Sequence, residues 1–170
     1  MQEPLNICLD LGTKTGYAVR VGAGPVLESG AWDLTPAKGS HPVWRYKLFA
    51  VKLRKLAARH PQSGDSGGRH VWYEKVHRHE GTVAAHVYGA FQCVLWSVAA
   101  ELDLAIHTVE VADIKSAALG KGGGKGTGKF QVVRAACRHF GKSIVSPDEA
   151  DSLWISEVAA GLVGAGALEY

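Results

Sequence analysis

The order of apolar segments constrains the fold of this chain most strongly. Within the first 34 residues, three β-prone runs alternate with glycine-containing turns, at 5–10, 17–21 and 26–34. Short turns join neighbouring strands in an antiparallel arrangement, so this region predicts a three-stranded meander. Strands and helices alternate afterwards, which favours parallel pairing through helical crossovers. We therefore expect an α/β fold in which helices flank a mixed five-stranded sheet.

Apolar periodicity places the later elements. A helix is predicted from Ser40, as its N-cap, to about residue 59. Its inward residues are predicted to be Trp44, Leu48, Val51, Leu53 and Leu56. The remaining predicted elements are a strand at 71–76, a helix at 81–103, a strand at 104–111, a short helix to 119, and helices at 129–140 and 147–163.

The composition fits one compact domain over residues 1–170. A chain of 170 residues that is 46% hydrophobic can bury one continuous core but is short for two ordinary domains. Its formal charge of +3 is mildly basic and does not by itself indicate a nucleic-acid partner. The three cysteines lack CxxC spacing, which favours a reducing, cytoplasmic setting. Since no uninterrupted apolar run reaches the ~18 residues that span a bilayer, no membrane partner is expected.

Two acidic residues lie on predicted strands. Asp10 ends the first strand at the entrance to a glycine turn, a position where binding sites are commonly built. Taken alone, Asp10 also fits the role of an Asx-type turn residue. Glu74 lies among apolar neighbours in its strand, where glutamate is disfavoured. A solvent-facing side of that strand would explain Glu74 equally well, so both interpretations stay open for each residue.

A third acidic segment opens the last predicted helix. Ser146 and Glu149 have capping-box spacing, and Pro147 takes the first helical position. Glu149 is therefore expected to be structural. Asp148 and Asp151 are three residues apart and share one face of the helix. Acidic residues in a first turn also stabilise the helix dipole, which is the alternative interpretation of this pair.

Together, the carboxylates form an oxygen-rich donor set, consisting of Asp10, Glu74, Asp148 and Asp151. Oxygen donors suit Mg²⁺ or Mn²⁺. Two such ions ~4 Å apart activate a water molecule and stabilise the leaving oxygen of a phosphodiester. Unpaired carboxylates would repel one another, so their clustering implies bound cations. The combination predicts metal-dependent cleavage of a nucleic-acid backbone.

Three segments resemble the signature segments of RuvC-type Holliday junction resolvases of the RNase H-like superfamily: residues 7–19 (ICLDLGTKTGYAV), 73–76 (YEKV) and 148–153 (DEADSL). The resemblance extends to residues 111–115 and 129–132, and covers most of the chain. It implies an RNase H-like fold and a Mg²⁺-dependent endodeoxyribonuclease, a crossover junction endonuclease of recombination and repair. It further implies a homodimer that makes paired symmetric nicks in four-way DNA junctions. Carried over by this resemblance, the catalytic and metal-binding residues are Asp10, Glu74, Asp148 and Asp151.

Basic residues near these segments are candidates for DNA contact. They are His77, Arg78, Lys115, Lys121, Lys125 and Lys129. Lysines on the glycine-rich loop 120–128 would contact phosphates without reading bases, and ordinary solvated charge is the alternative. His77 occupies a place where the resembled family often has an aromatic residue that inserts at the junction centre. Imidazole stacks on a base less extensively than a phenyl ring.

The helix predicted at 81–103 is rich in small residues. Small residues such as Gly89 and Ala90 allow two helices to approach closely, and the related helix in RuvC-like enzymes forms the dimer interface. A homodimer is therefore expected. Packing of the same residues against the sheet is the alternative.

Other functional classes fit the sequence less well. Residues 123–130 nearly match the phosphate-binding loop GxxxxGK[ST], but Phe130 replaces the hydroxyl that holds Mg²⁺, so no nucleotide cofactor is expected. Residues 10–13 also resemble phosphate-binding turns of sugar kinases and actin-like ATPases, which need two such domains. An RNase H-like nuclease for other branched or RNA-containing substrates stays open. A non-catalytic binding module is disfavoured by the intact acidic positions.

Overall fold

The computed structural model describes residues 3–61, 67–77, 81–120 and 128–164. Its strands are β1 (Leu5–Asp10), β2 (Lys14–Val21), β3 (Val26–Asp33), β4 (Arg69–Lys75) and β5 (Ala105–Glu110). They form one sheet in the order β3-β2-β1-β4-β5. β1, β2 and β3 pair antiparallel, whereas β4 pairs parallel to both β1 and β5. The predicted mixed five-stranded sheet, with its antiparallel meander, is confirmed.

Helices cover both faces of this sheet. They are α1 (Trp44–Arg59), α2 (Thr82–Glu101), α3 (Val111–Leu119), α4 (Lys129–Phe140) and α5 (Pro147–Gly164). Successive strand residues point to opposite faces. Ile7 and Val71 therefore join the core beneath α1 and α2, while Cys8 and Trp72 join the core beneath α3, α4 and α5. Because it is covered on both sides, β1 is an almost continuous apolar run.

The start of α1 differs from the prediction. Ser40 is not its N-cap, because the Ser40 backbone N–H donates to the carbonyl of Ala37 in a turn (2.9 Å). The helix begins four residues later, at Trp44, with Val43 as N-cap. The side-chain hydroxyl of a serine caps a helix only where its backbone leads directly into the first turn.

The inward face of α1 also differs from the prediction. Trp44, Leu48 and Val51 are exposed, at 55%, 40% and 44% of their surface. The buried face carries Phe49, Leu53, Leu56 and Ala57. The helix has two apolar stripes. The stripe that contains Phe49 faces the core, where the Phe49 ring packs edge-on against Phe91 of α2 (5.3 Å between ring centroids). Leu53 and Leu56 are inward as predicted.

Glu149 is structural, but the predicted capping box is only half formed. The Ser146 hydroxyl accepts the Glu149 backbone N–H at 3.4 Å. The Glu149 carboxylate does not return to Ser146; it accepts hydrogen bonds from the Ser29 hydroxyl (2.7 Å) and the Lys142 ammonium (2.7 Å). The side chain therefore ties the first turn of α5 to β3.

One helix of the described ranges, α2, is long and apolar enough by length and composition to cross a membrane, with mean hydropathy 1.4 over its most apolar 18 residues. Polar residues such as His86 and Gln92 interrupt this helix, so the sequence contains no unbroken apolar run that would have indicated it. One such helix is weak evidence for a membrane span, since the core helix of a globular domain can be equally long and apolar. Phe91, Leu95 and Val98 of α2 pack into the core beneath it.

Gly16 sets the distance between β2 and α5. A Cβ built at this position would collide with the backbone carbonyl of Asp148 in the first turn of α5. Glycine is thus required by close backbone approach. This contact fixes how near the acidic end of α5 lies to the sheet.

Replacing Gly16 with alanine should push α5 away from β2. We expect Gly16→Ala to lower the free energy of unfolding by about 1–3 kcal/mol, the usual cost of overpacking. Urea denaturation measures it. The matched control is Gly161→Ala in α5, where a Cβ would meet nothing within 4 Å. Gly161→Ala should leave the free energy of unfolding unchanged or raise it by roughly 0.5–1 kcal/mol. Equal effects of the two substitutions would contradict this role of Gly16.

Candidate metal centre

Parallel pairing brings the two strand carboxylates together. β1 and β4 run in register with Leu9 beside Tyr73, so Asp10 and Glu74 follow at adjacent strand ends. The alternation of side chains places Asp10 on the face of Cys8, and Glu74 on the face of Trp72. Both carboxylates therefore lie on the side of the sheet covered by α5.

A cavity of about 420 Å³ contains three of the four predicted carboxylates. Its charged lining residues are Asp10, Glu74, Asp151, Lys115 and Lys129. Its apolar lining residues come from α3, α4 and α5; they are Val111, Ile114, Ala118, Val132 and Pro147. Elements distant in sequence thus line one cavity, in which the charged groups are surrounded by apolar side chains.

Neighbouring carboxylates raise the pKa of Asp10 and of Asp151. Burial raises the pKa of Asp10 well above its ordinary value. Negative neighbours raise it further, in the order Asp151, Glu74 and Asp148, whereas Lys129 lowers it. Burial, followed by the charge of Glu74, raises the pKa of Asp151 to about 6. The charges of Glu74 and Asp148 thus act on Asp10 and Asp151, so all four predicted residues lie near one another.

Two lysines oppose these shifts. Burial raises the pKa of Glu74, while Lys115 and Lys129 lower it. The same lysines lower the pKa of Asp151. Both were predicted as DNA contacts, and both line the cavity. Their positive charge favours the ionised carboxylates.

Asp148 lies at the margin of the cavity. Its carboxylate accepts a hydrogen bond from the Ser146 hydroxyl at 3.2 Å. It is absent from the cavity lining, yet its charge raises the pKa of both Asp10 and Asp151. Asp148 is therefore near enough to act on the site without sharing its wall.

The donor chemistry fits a hard divalent cation, since the converging ligand atoms are carboxylate oxygens. The side chains are not assembled as ready ligands, however. In the part of the chain that the structure describes, no group of three or more His, Cys, Asp or Glu side chains is set closely enough to hold an ion. Carboxylates that repel one another would need to draw together around a cation.

The remaining predicted DNA contacts divide into two groups. The Nε2 atom of His77 lies within hydrogen-bond distance, 2.7 Å, of the Glu110 carboxylate, which the Lys75 ammonium also contacts at 3.4 Å. A tethered imidazole is less free to stack on a base. Arg78, Lys121 and Lys125 lie outside the described residues.

Tyr88 is a positioning residue that the sequence did not reveal. Its hydroxyl donates a hydrogen bond to the backbone carbonyl of Glu74 at 2.6 Å. Burial raises the pKa of Tyr88 to about 12. The sequence signal was weak, namely a tyrosine within an apolar helix, whose hydroxyl usually finds a partner when buried. Tyr88 thus connects α2 to the strand end that carries Glu74.

The comparisons with known proteins agree with this architecture. No family model matches the chain, and no curated protein matches it in sequence. Among solved structures, it is similar to Thermus thermophilus RuvC in complex with Holliday junction substrate, with a TM-score of 0.76. A structure described as Thermus thermophilus RuvC aligns with a TM-score of 0.71. Each is 18% identical and covers 95% of this chain and 96% of the other.

These alignments define the class of fold. The mixed five-stranded sheet with its flanking helices is an RNase H-like fold. Within that class, the chain has the fold of RuvC over nearly its whole length. The predicted fold class is therefore confirmed.

Removing one carboxylate charge should stabilise the metal-free protein. The pKa of Asp151 is raised to about 6 in the folded state, so the folded protein binds more protons than the unfolded chain above pH ~4. In EDTA, stability should fall as pH rises from about 5 to 7. Asp10→Asn should raise the free energy of unfolding at pH 7 by on the order of 1 kcal/mol, the equivalent of about one pKa unit.

Thermal denaturation at both pH values, with EDTA and with Mg²⁺, measures this effect. Mg²⁺ should stabilise the wild type at pH 7 and should have little effect on Asp10→Asn. The control is Asp113→Asn, on the exposed surface of α3. A metal-free Asp10→Asn protein that is less stable than wild type would contradict the repulsion.

Proposed function

We propose that the chain is a structure-selective endonuclease that cuts four-way (Holliday) DNA junctions. The reaction is two-metal-ion phosphodiester hydrolysis with paired symmetric nicks, in DNA recombination and repair. The observation that carries the proposal is the cavity in which Asp10, Glu74 and Asp151 meet, with Asp148 at its margin. The RuvC fold supports it, because the similar RuvC structure was solved with a Holliday junction substrate.

Asp10, Glu74, Asp148 and Asp151 are the residues that would hold Mg²⁺ or Mn²⁺. When bound, two such ions supply an activated water molecule and stabilise the leaving oxygen. The protein holds the four carboxylates from a rigid pair of parallel strands and one helix, which limits their movement. The apolar walls, including Ile114 and Val132, exclude bulk water and strengthen the electrostatic interactions inside.

Lys115 and Lys129 serve two purposes in this proposal. They favour the ionised forms of Glu74 and Asp151, because both lysines oppose the rise in the pKa of these carboxyl groups that burial causes. Their ammonium groups at the cavity wall also suit contact with the phosphates beside the scissile bond. His77, Arg78, Lys121 and Lys125 stay in the proposal as the DNA contacts that the sequence predicts.

A homodimer completes the proposal. The outward face of α2 carries small or uncharged residues, including Ala90, Cys93 and Ser97, beside Trp96, which is 46% exposed. A Cβ at Gly89 would meet nothing within 4 Å, so this face is shallow. Two copies packed through this face by a twofold axis would present two equivalent active sites, as paired nicks require.

Junction cleavage tests the proposed activity. With Mg²⁺, the wild type should nick a synthetic four-way junction at symmetric positions and leave linear duplex intact. Asp10→Asn and Glu74→Gln should each lose at least about 10³-fold in rate, as expected for groups that act as one unit. The exposed Asp113→Asn variant is the control and should retain activity.

Forks and RNA/DNA hybrids belong in the same assay. Equal cutting of linear duplex and junction would contradict junction selectivity. Faster cutting of a fork or a hybrid would instead establish an RNase H-like nuclease for another branched or RNA-containing substrate. Full activity of Asp10→Asn would refute the metal centre itself.

Charge placed on the α2 face should separate the dimer. We expect Cys93→Glu to be monomeric and to give unpaired nicks, because like charges would then meet at the interface. Light scattering coupled to gel filtration measures the mass. Ala84→Glu is the control, since Ala84 is exposed on another side of the same helix. A wild type that is monomeric at micromolar concentration would contradict the dimer.

A further inference from the structure

We propose that the outward surface of α1 binds the phosphate backbone of the DNA arm that leaves the catalytic cavity. This surface, termed the α1 face, consists of the exposed residues Trp44, Lys47, Leu48, Val51 and Lys55. The proposal rests on the nuclease function proposed above, and adds a second contact surface for the same substrate.

The charge of α1 is the first observation. Six of its 16 residues are basic and none is acidic; they are Arg45, Lys47, Lys52, Arg54, Lys55 and Arg59. Two of these cations are neutralised, Arg54 by Glu101 and Arg59 by Glu28, each at 2.6 Å. Among the described residues, no carboxylate lies within 4.0 Å of the three lysines. The α1 face is therefore left with uncompensated positive charge, which complements a polyanion.

The exposed apolar stripe is the second observation. Trp44, Leu48 and Val51 lie outward although they are large and apolar. The Lys47 ammonium lies 4.8 Å from the centroid of the Trp44 ring. Lysine side chains can lie along apolar surface with their charge outward. The Trp44 ring thus supports the Lys47 side chain and keeps its charge at the surface.

The position of α1 is the third observation. The Arg45 guanidinium donates a hydrogen bond to the Thr13 hydroxyl at 3.3 Å, and Thr13 lies in the turn that follows Asp10. The helix therefore begins at the same end of the sheet as the carboxylates, although it covers the opposite face of the sheet. Its 16 residues extend about 24 Å from that end. This length matches roughly seven base pairs, since the phosphates of one strand recur every 3.4 Å along the axis of the duplex.

An anionic membrane is the competing partner for a basic helix with an apolar stripe. The observations favour DNA over a membrane. Helices that lie in a membrane interface insert a continuous apolar face, whereas α1 has turned Phe49, Leu53 and Leu56 into the protein core. Three apolar side chains remain outside, and the N-terminal turn of α1 contacts the turn that follows Asp10.

Removing two exposed lysines tests this inference. The variant is Lys47→Gln/Lys55→Gln, and the charge-matched control is Arg134→Gln/Arg138→Gln on the exposed surface of α4. Junction affinity is measured against salt concentration by fluorescence anisotropy. Each lost phosphate contact lowers the slope of log K against log salt by about 0.9, so the lysine variant should lose roughly 1.8. The control should keep the wild-type slope.

Arm length supplies a second measurement. With junction arms of about 5 bp, too short to pass along the whole helix, the difference between the lysine variant and wild type should shrink. With arms of about 20 bp, the lysine variant and the wild type should differ by the whole expected change in slope. A lysine variant with the wild-type slope on long arms would overturn the inference. Lysine-dependent binding to phosphatidylserine vesicles, with an unchanged junction slope, would overturn it in favour of a membrane.

The two proposals fail separately. If the wild type nicks junctions but the lysine variant binds them with the wild-type slope, only the α1 face is refuted. If the wild type nicks no junction with Mg²⁺, the nuclease proposal fails whatever the slope. Thermal denaturation of both double variants confirms that each is folded.

Discussion

Repulsion among partly buried carboxylates is the constraint on which the rest of the structure depends. Asp10 and Glu74 end neighbouring parallel strands, and the first turns of α5 bring Asp148 and Asp151 to the same place. Each of these charges is costly when burial removes water from it. Lys115 and Lys129 offset part of this cost, and the divalent cations that we propose would offset the rest. The sheet, the cavity walls and the position of α5 all serve to hold this arrangement.

Close packing places the acidic helix over the sheet. Gly16 allows the backbone of α5 to approach β2, and Glu149 ties the same turn to β3 through Ser29 and Lys142. On the other face, Tyr88 of α2 holds the backbone of Glu74. Both helical layers therefore fix the strand ends that carry the carboxylates. The outward surfaces of α1 and α2 are the ones that we propose for DNA and for a second subunit.

Much of this arrangement could be predicted from the sequence, for physical reasons. Asp10 and Glu74 were recognisable because a carboxylate in an apolar strand is unusual, and Asp151 because of its helical spacing from Asp148. The inward face of α1 was not predictable, because the helix has two apolar stripes and only packing against Phe91 decides between them. The partners of Glu149 and Tyr88 lie far away in sequence, so no local pattern indicates them.

Calorimetry of Mn²⁺ binding tests the central claim most directly. At pH 6 the carboxyl group of Asp151, whose pKa is raised to about 6, is partly protonated, so metal binding must release protons. Titration in two buffers of different ionisation enthalpy should show two bound ions with proton release in the wild type, and lost binding in Asp10→Asn. The absence of binding in the wild type, or equal binding in both proteins, would contradict a metal centre formed by these carboxylates.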